Sequence, residues 1–156
     1  MKTLKIVANI RVSDYKNLNL VEKNLIDVAK KAVKRAYVPY SHFQVGAAVL
    51  LVNQEIISGS NQENVAFPSG LCAERTTLFY ANSRFPDTAV DTIAIAAYTN
   101  GDFTDDPISP CGACRQVILE TQNRYRHPVR LLLYGKKAVY IVEQITDLLP
   151  LAFGSF

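Results

Sequence analysis

All three cysteines of this 156-residue chain lie in two short segments, Cys72-Ala73-Glu74-Arg75 and Pro110-Cys111-Gly112-Ala113-Cys114-Arg115. Both segments read as helix starts, so a fold that uses them together must aim two helix N-termini at one point. A thiolate placed there is stabilised by free backbone N–H groups and by the positive end of the helix dipole. Three thiolates can hold a zinc ion and leave its fourth tetrahedral position for water, which is the pattern of a catalytic rather than a structural site. A structural site would want a fourth Cys or His. The only histidines, His42 and His127, lie beside neither cysteine segment. Glu74 stands two residues after Cys72, where an acid can exchange protons with such a water. On its own an acid in a first turn merely complements the dipole; beside this cysteine spacing it reads as the catalytic acid–base. Arg75 and Arg115 each follow a candidate ligand closely and can offset the excess negative charge.

The totals exclude several classes. Apolar residues make 49% of the chain and charged residues 20%, ordinary for a globular protein with one core. No apolar run approaches the roughly 20 residues that cross a bilayer, and Met1 to Asn9 alternates rather than forming the apolar block of a signal peptide. The expectation is a cytoplasmic protein without a membrane partner. The net charge of +3 is mild and its basic residues are scattered, so no nucleic-acid surface is marked. Three cysteines cannot complete a disulfide set, which favours metal binding in a reducing compartment.

Along the chain, Leu4, Ile6, Ala8, Ile10 and Val12 alternate with mostly polar residues and predict a half-buried edge strand over 3–12. Asn17 or Asn19 can cap a helix to about Ala36, with Leu25, Val28, Ala29, Ala32 and Val33 inward and the lysines opposite as a solvated face. Strands follow over Val45–Val52 and Glu55–Ser60, a helix over Ala73–Ser83, and an apolar strand over Thr92–Tyr98. Asp102 to Pro107 reads as a loop. A helix runs from Cys111 to about Asn123, then strands over Val129–Tyr134 and Ala138–Val142 and a helical turn over Thr146–Leu149. This alternation predicts an α/β three-layer sandwich, a mixed β-sheet flanked by helices, as one domain over 1–156 with residues 1–19 as an N-terminal extension.

The Cys-Ala-Glu and Pro-Cys-Gly-Ala-Cys segments resemble those of the three-cysteine zinc nucleoside deaminases, a pattern general to zinc deaminases. Tyr40 through Ala48, Asn61-Gln62-Glu63-Asn64, Ser109 through Gln116 and Leu148-Leu149-Pro150 are similar to cytidine deaminase segments in the same order, covering about residues 20–153. The resemblance implies one Zn²⁺ per chain on Cys72, Cys111 and Cys114, with Glu74 as proton carrier. It implies hydrolytic deamination of cytidine and deoxycytidine in pyrimidine salvage, with ammonia released. Asn61 and Glu63 would bind the ribose hydroxyls, Phe43 would pack on the nucleoside, and the Ala73 N–H would meet the pyrimidine carbonyl. Phe153 would reach a neighbouring subunit's site within a homotetramer. Phe67 stands where many relatives carry Tyr, and Leu151 replaces a common Gly; both bear on subunit contacts. Competing readings are a blasticidin S-type aminopyrimidine deaminase, a polynucleotide-editing deaminase and a non-catalytic zinc or redox module. Asn61 and Glu63 argue for a ribose against the first. The second usually uses a His ligand and a basic groove, and the third leaves Glu74 without a purpose.

Overall fold

Asn19, rather than Asn17, starts the first helix. In the computed structural model, which describes residues 1–154, the Asn19 side chain accepts from the Glu22 N–H at 2.9 Å. The Glu22 carboxylate in turn accepts from the Asn19 N–H at 3.0 Å, so two orphan donors are satisfied reciprocally. The helix, α1 (Leu20–Ala32), buries Leu25, Ile26, Ala29 and Ala32. It ends before Ala36 because Val33–Arg35 tighten into a 3-10 turn and the chain leaves to bridge Tyr37 with Gln62. Lys30 departs from the expected solvated face. Its Nζ lies 4.6 Å from the centroid of Tyr134, 4.9 Å from Phe103 and 5.6 Å from Tyr15, a cation held over three rings.

The strands are β1 (Arg11–Ser13), β2 (Gln44–Leu51), β3 (Ile56–Ser60), β4 (Val90–Thr99), β5 (Asp102–Phe103), β6 (Arg130–Tyr134) and β7 (Val139–Val142). They form one sheet in the order β1-β7-β6-β4-β2-β3, with β5 on the end of β4. The β4–β6 pair is parallel and the others antiparallel, so the sheet is mixed. Helix α2 (Ala73–Arg84) precedes β4, and α3 (Gly112–Tyr125) makes the crossover from β4 to β6, as a parallel pair requires.

The near-continuous apolar strands follow from burial on both faces. Val49, Leu51, Ile93, Ile95, Leu131 and Leu133 pack with Leu78 of α2 and Ile118 of α3. The intervening Ala48, Leu50, Ala94, Ala96 and Leu132 pack with Leu25, Ile26 and Ala29 of α1. The three-layer sandwich expected from the sequence is the one observed. Gly46 sets the spacing of the α1 layer: a Cβ there would fall 2.1 Å from the Ala29 carbonyl oxygen.

Two local expectations are corrected. The strand predicted over 3–12 shrinks to Arg11–Ser13, paired with Val139–Ile141. Its partner β7 ends at Val142, so earlier residues have no ladder to join, and Leu4, Ile6, Ile10 and Val12 are exposed. The loop over Asp102–Pro107 contains β5, which returns on β4 through Asn100 (φ 53°) and Gly101 (φ 86°). Two positive-φ residues, Asn then Gly, are what a tight hairpin turn requires. No helix among the described residues is long and apolar enough to cross a membrane.

Helix α3 ends on Arg126 in the left-handed region (φ 51°, ψ 37°), with the Arg126 and His127 N–H groups bonded back to the last turn. Glycine adopts this conformation at no steric cost. Arg126→Gly should therefore stabilise the fold by about 0.5–1 kcal/mol, a Tm rise of roughly 1–4 °C. A lower Tm by calorimetry would refute this.

Candidate active site

The N-termini of α2 and α3 converge on one face of the sheet. Cys72 is the N-cap of α2 and Cys111 the N-cap of α3, while Cys114 lies in the first turn of α3. Their sulfurs all lie within 4.8 Å of one another. Cys72 Sγ is 3.8 Å from Cys111 Sγ, which is 3.5 Å from Cys114 Sγ. Tetrahedral Zn–S bonds of about 2.3 Å put neighbouring sulfurs roughly 3.8 Å apart, so the donor set fits zinc in type and spacing. Cys114 is buried, Cys72 half-buried and Cys111 exposed, leaving the cluster open on one side. The Cys114 thiol, with Arg75 beside it, holds Cys72 well below the usual thiol range at about 5. The same pairing with Cys72 pushes Cys114 up.

Arg75 reaches Cys72 Sγ with Nη2 at 3.8 Å. Arg115, the other residue expected to balance charge, makes its hydrogen bonds to backbone. Its Nε donates to the Pro110 carbonyl and its Nη1 to the Leu148 carbonyl, both at 2.8 Å, because α3 carries its side chain back along the helix entrance rather than toward the sulfurs.

Glu74, in the first turn of α2, is only 4% exposed. Burial pushes its carboxyl up, and the charge on Cys72 adds to this; its own N–H and the Cys114 thiol pull the other way. A buried carboxyl pushed up in this way holds a proton more readily than a solvated one, as a proton carrier must. Ala73, the first helical residue, is fully buried, and its N–H is one of the donors that a helix start leaves unpaired.

A cavity of about 510 Å³ opens beside Cys72, lined among others by Asn61, Glu63, Arg75, Tyr40, Ser41 and Phe67. It is large enough for a small organic molecule. Glu63 accepts from the Tyr40 N–H at 2.9 Å and the Ser41 N–H at 3.3 Å. The Ser41 hydroxyl and these N–H groups hold its carboxyl below the usual range. Asn61 is turned partly inward: Oδ1 accepts from the Val45 N–H at 2.8 Å and Nδ2 donates to the Phe43 carbonyl at 2.9 Å. Phe43 is half-buried and Phe153 exposed, and neither is on the cavity wall. Tyr40 and Phe67 meet edge to face across 5.9 Å. Sequence reasoning gave no role to Tyr40 or Ser41, since their part depends on Glu63 arriving from 23 residues away.

Comparison with known proteins agrees with this geometry. A "Cytidine deaminase" of Sporosarcina psychrophila is 50% identical over 142 residues, covering 86% of this chain and 91% of its own. A "Cytidine deaminase" of Halalkalibacterium halodurans is 42% identical over 131 residues, covering 83% and 91%. The 1.6 Å crystal structure of cytidine deaminase from Burkholderia pseudomallei superposes with a TM-score of 0.70 at 38% identity, covering 83% of this chain and 97% of that one. Residues 21–126 match the cytidine and deoxycytidylate deaminase zinc-binding region. With its three sulfurs at zinc-binding spacing and a buried glutamate beside them, the chain belongs to the zinc-binding cytidine and deoxycytidylate deaminase family.

Proposed function

We propose that this chain deaminates cytidine and deoxycytidine by hydrolysis, giving uridine and deoxyuridine and releasing ammonia. The observation that carries the reading is the trio of converging sulfurs with the buried Glu74 in the adjoining first turn. Cys72, Cys111 and Cys114 hold the ion. When bound, zinc supplies the positive charge that brings a water toward hydroxide near neutral pH. Glu74 would take one proton from that water and deliver it to N3 of the cytosine ring as the oxygen bonds to C4. It would then take the proton of the new C4 hydroxyl and pass it to the amino group, which leaves as ammonia as the C4–N bond breaks and the C4 carbonyl forms. Its burial raises the affinity of the carboxylate for the proton it takes. The Ala73 N–H orients the pyrimidine carbonyl. Arg75 offsets part of the thiolate charge that disfavours the ionised form of Glu74.

Asn61 and Glu63 hold the ribose from the cavity wall, and the depressed acid of Glu63 stays an acceptor throughout the neutral range. A site built to pair hydroxyls rejects a base that lacks them. Phe43 packs against the nucleoside, and Phe153 serves the site of a neighbouring copy in a homotetramer. Exposed Val65, Phe67, Phe79 and Tyr80 support self-association. Residues 1–156 act as one domain, in the cytoplasm and in pyrimidine salvage, without nucleic-acid or membrane partners.

The test is ultraviolet absorbance of cytidine, deoxycytidine, cytosine and blasticidin S with zinc-loaded protein, with ammonia measured in parallel. Cytidine and deoxycytidine should be consumed with stoichiometric ammonia and free cytosine left intact. Four unchanged substrates with zinc bound would overturn the assignment. Asn61→Ala removes two bonds to the start of β2, and should cost about 1–3 kcal/mol in urea unfolding. It should also lower kcat/KM for cytidine roughly 10–100-fold, by about the worth of one or two lost polar contacts. Unchanged kcat/KM would remove Asn61 from the binding site.

A further inference from the structure

Arg115 and Gln116 are neighbours at the entrance of α3, and both reach the C-terminal segment. Arg115 spans two carbonyls, that of Pro110 immediately before the ligand Cys111 and that of Leu148 at the end of the last 3-10 turn. Gln116 donates through Nε2 to the Phe153 carbonyl at 2.9 Å. The segment from Leu148 to Phe153 is therefore fastened near both ends to adjacent residues of the helix that carries two of the three sulfurs. Between the fastenings lies Leu151, exposed and in the left-handed region at φ 57°, a conformation that an L side chain does not favour by itself. At the other end, Cys111 is exposed, and its thiol lies against the sulfurs of Cys72 and Cys114. The peptide that leads into it is the one Arg115 holds.

We infer that Arg115 and Gln116 are positioning residues that couple zinc occupancy to the placement of the C-terminal segment 148–153. This rests on the zinc reading above. The rigid planar guanidinium fixes the separation of two carbonyls, which a single lysine ammonium cannot reproduce. Holding the Pro110 carbonyl sets the Cys111 N-cap. Holding the Leu148 carbonyl ties that N-cap to a turn whose Ile145 and Leu148 belong to the core under α3. Because the coupling is thermodynamic, it is reciprocal: metal that orders the α3 entrance orders the segment, and losing the segment's hold weakens the metal.

The experiment uses the full chain and two readouts other than turnover. Zinc affinity is measured by competition with a chromophoric chelator, and amide exchange of peptides covering 148–153 by mass spectrometry, zinc-loaded and chelated. Wild-type exchange in that segment should speed up several-fold on chelation. Arg115→Ala should bind zinc about 10–100-fold more weakly, the range for residues supporting metal ligands, and exchange faster at 148–153 even with saturating zinc. Arg115→Lys should fall between the two. Gln116→Ala should loosen the end near Phe153 with a smaller effect on zinc. A folded Arg115→Ala variant with wild-type zinc affinity overturns the inference, as does segment exchange indifferent to zinc. Should the alanine variant not fold, the lysine variant and the wild-type exchange decide by the same criteria. Wild-type protein that takes up no zinc sinks the functional reading as well, whereas zinc uptake without coupling sinks this inference alone.

Discussion

Glu74→Gln should retain one zinc per chain, fold at least as stably as the wild type, and lose about 10³-fold or more in kcat for cytidine. The amide keeps the shape of the side chain but cannot carry a proton between water, ring nitrogen and leaving amine. Proton transfer by one positioned group contributes about 10²–10⁴-fold, and here the same group serves several transfers. Stability should not suffer, because burial already disfavours the ionised carboxyl and Gln removes that penalty. Metal content by atomic spectroscopy, Tm and kcat measured on the same preparation separate the outcomes. Turnover within tenfold of wild type would dismiss Glu74 as the proton carrier.

The second large effect is expected at Cys111. Its thiol is exposed, so Cys111→Ala opens no cavity in the core, and its consequences report the metal alone. The variant should hold less than about a tenth of a zinc per chain after dialysis, since two remaining thiolates bind far more weakly than three and metal affinity is folding free energy. Its Tm should match that of chelated wild-type protein and stop responding to added zinc. Deamination should be undetectable. Full zinc occupancy in the variant would take Cys111 out of the ligand set. Cys114→Ala is the poorer probe, because Cys114 is fully buried and its loss mixes a packing defect with the loss of metal.

The cysteine spacing and strand–helix alternation were enough to anticipate the layers, because period-two and period-3.6 patterns carry the burial that builds them. The sulfur cluster was legible for a related reason: helix starts are local, and two of them bearing thiolates have few ways to meet. What was not legible is non-local or hangs on a partner's length. The strand pattern of Leu4 to Ile10 is real in the sequence but goes unused in the fold, since β7 is too short to pair with it. The loop expected over Asp102–Pro107 hides β5, because only Asp102 and Phe103 join the ladder after the Asn100-Gly101 turn. Arg115 stands next to Cys114 in sequence yet turns to Leu148, 33 residues on. Asn61 spends its amide on the backbone of β2 as well as facing the cavity, a division of labour that spacing alone does not reveal.

The three sulfurs join chain positions 39 residues apart. A disulfide across such a span would stabilise by restricting the unfolded chain, by about 4 kcal/mol in the loop-entropy model. A metal ion that leaves on unfolding acts otherwise. Its contribution grows by about 1.4 kcal/mol for each tenfold rise of free zinc above the dissociation constant. The stability of this fold is then not a fixed property of the sequence but a function of the metal supply around it, and a cell that withholds zinc withdraws activity and shortens the protein's lifetime together.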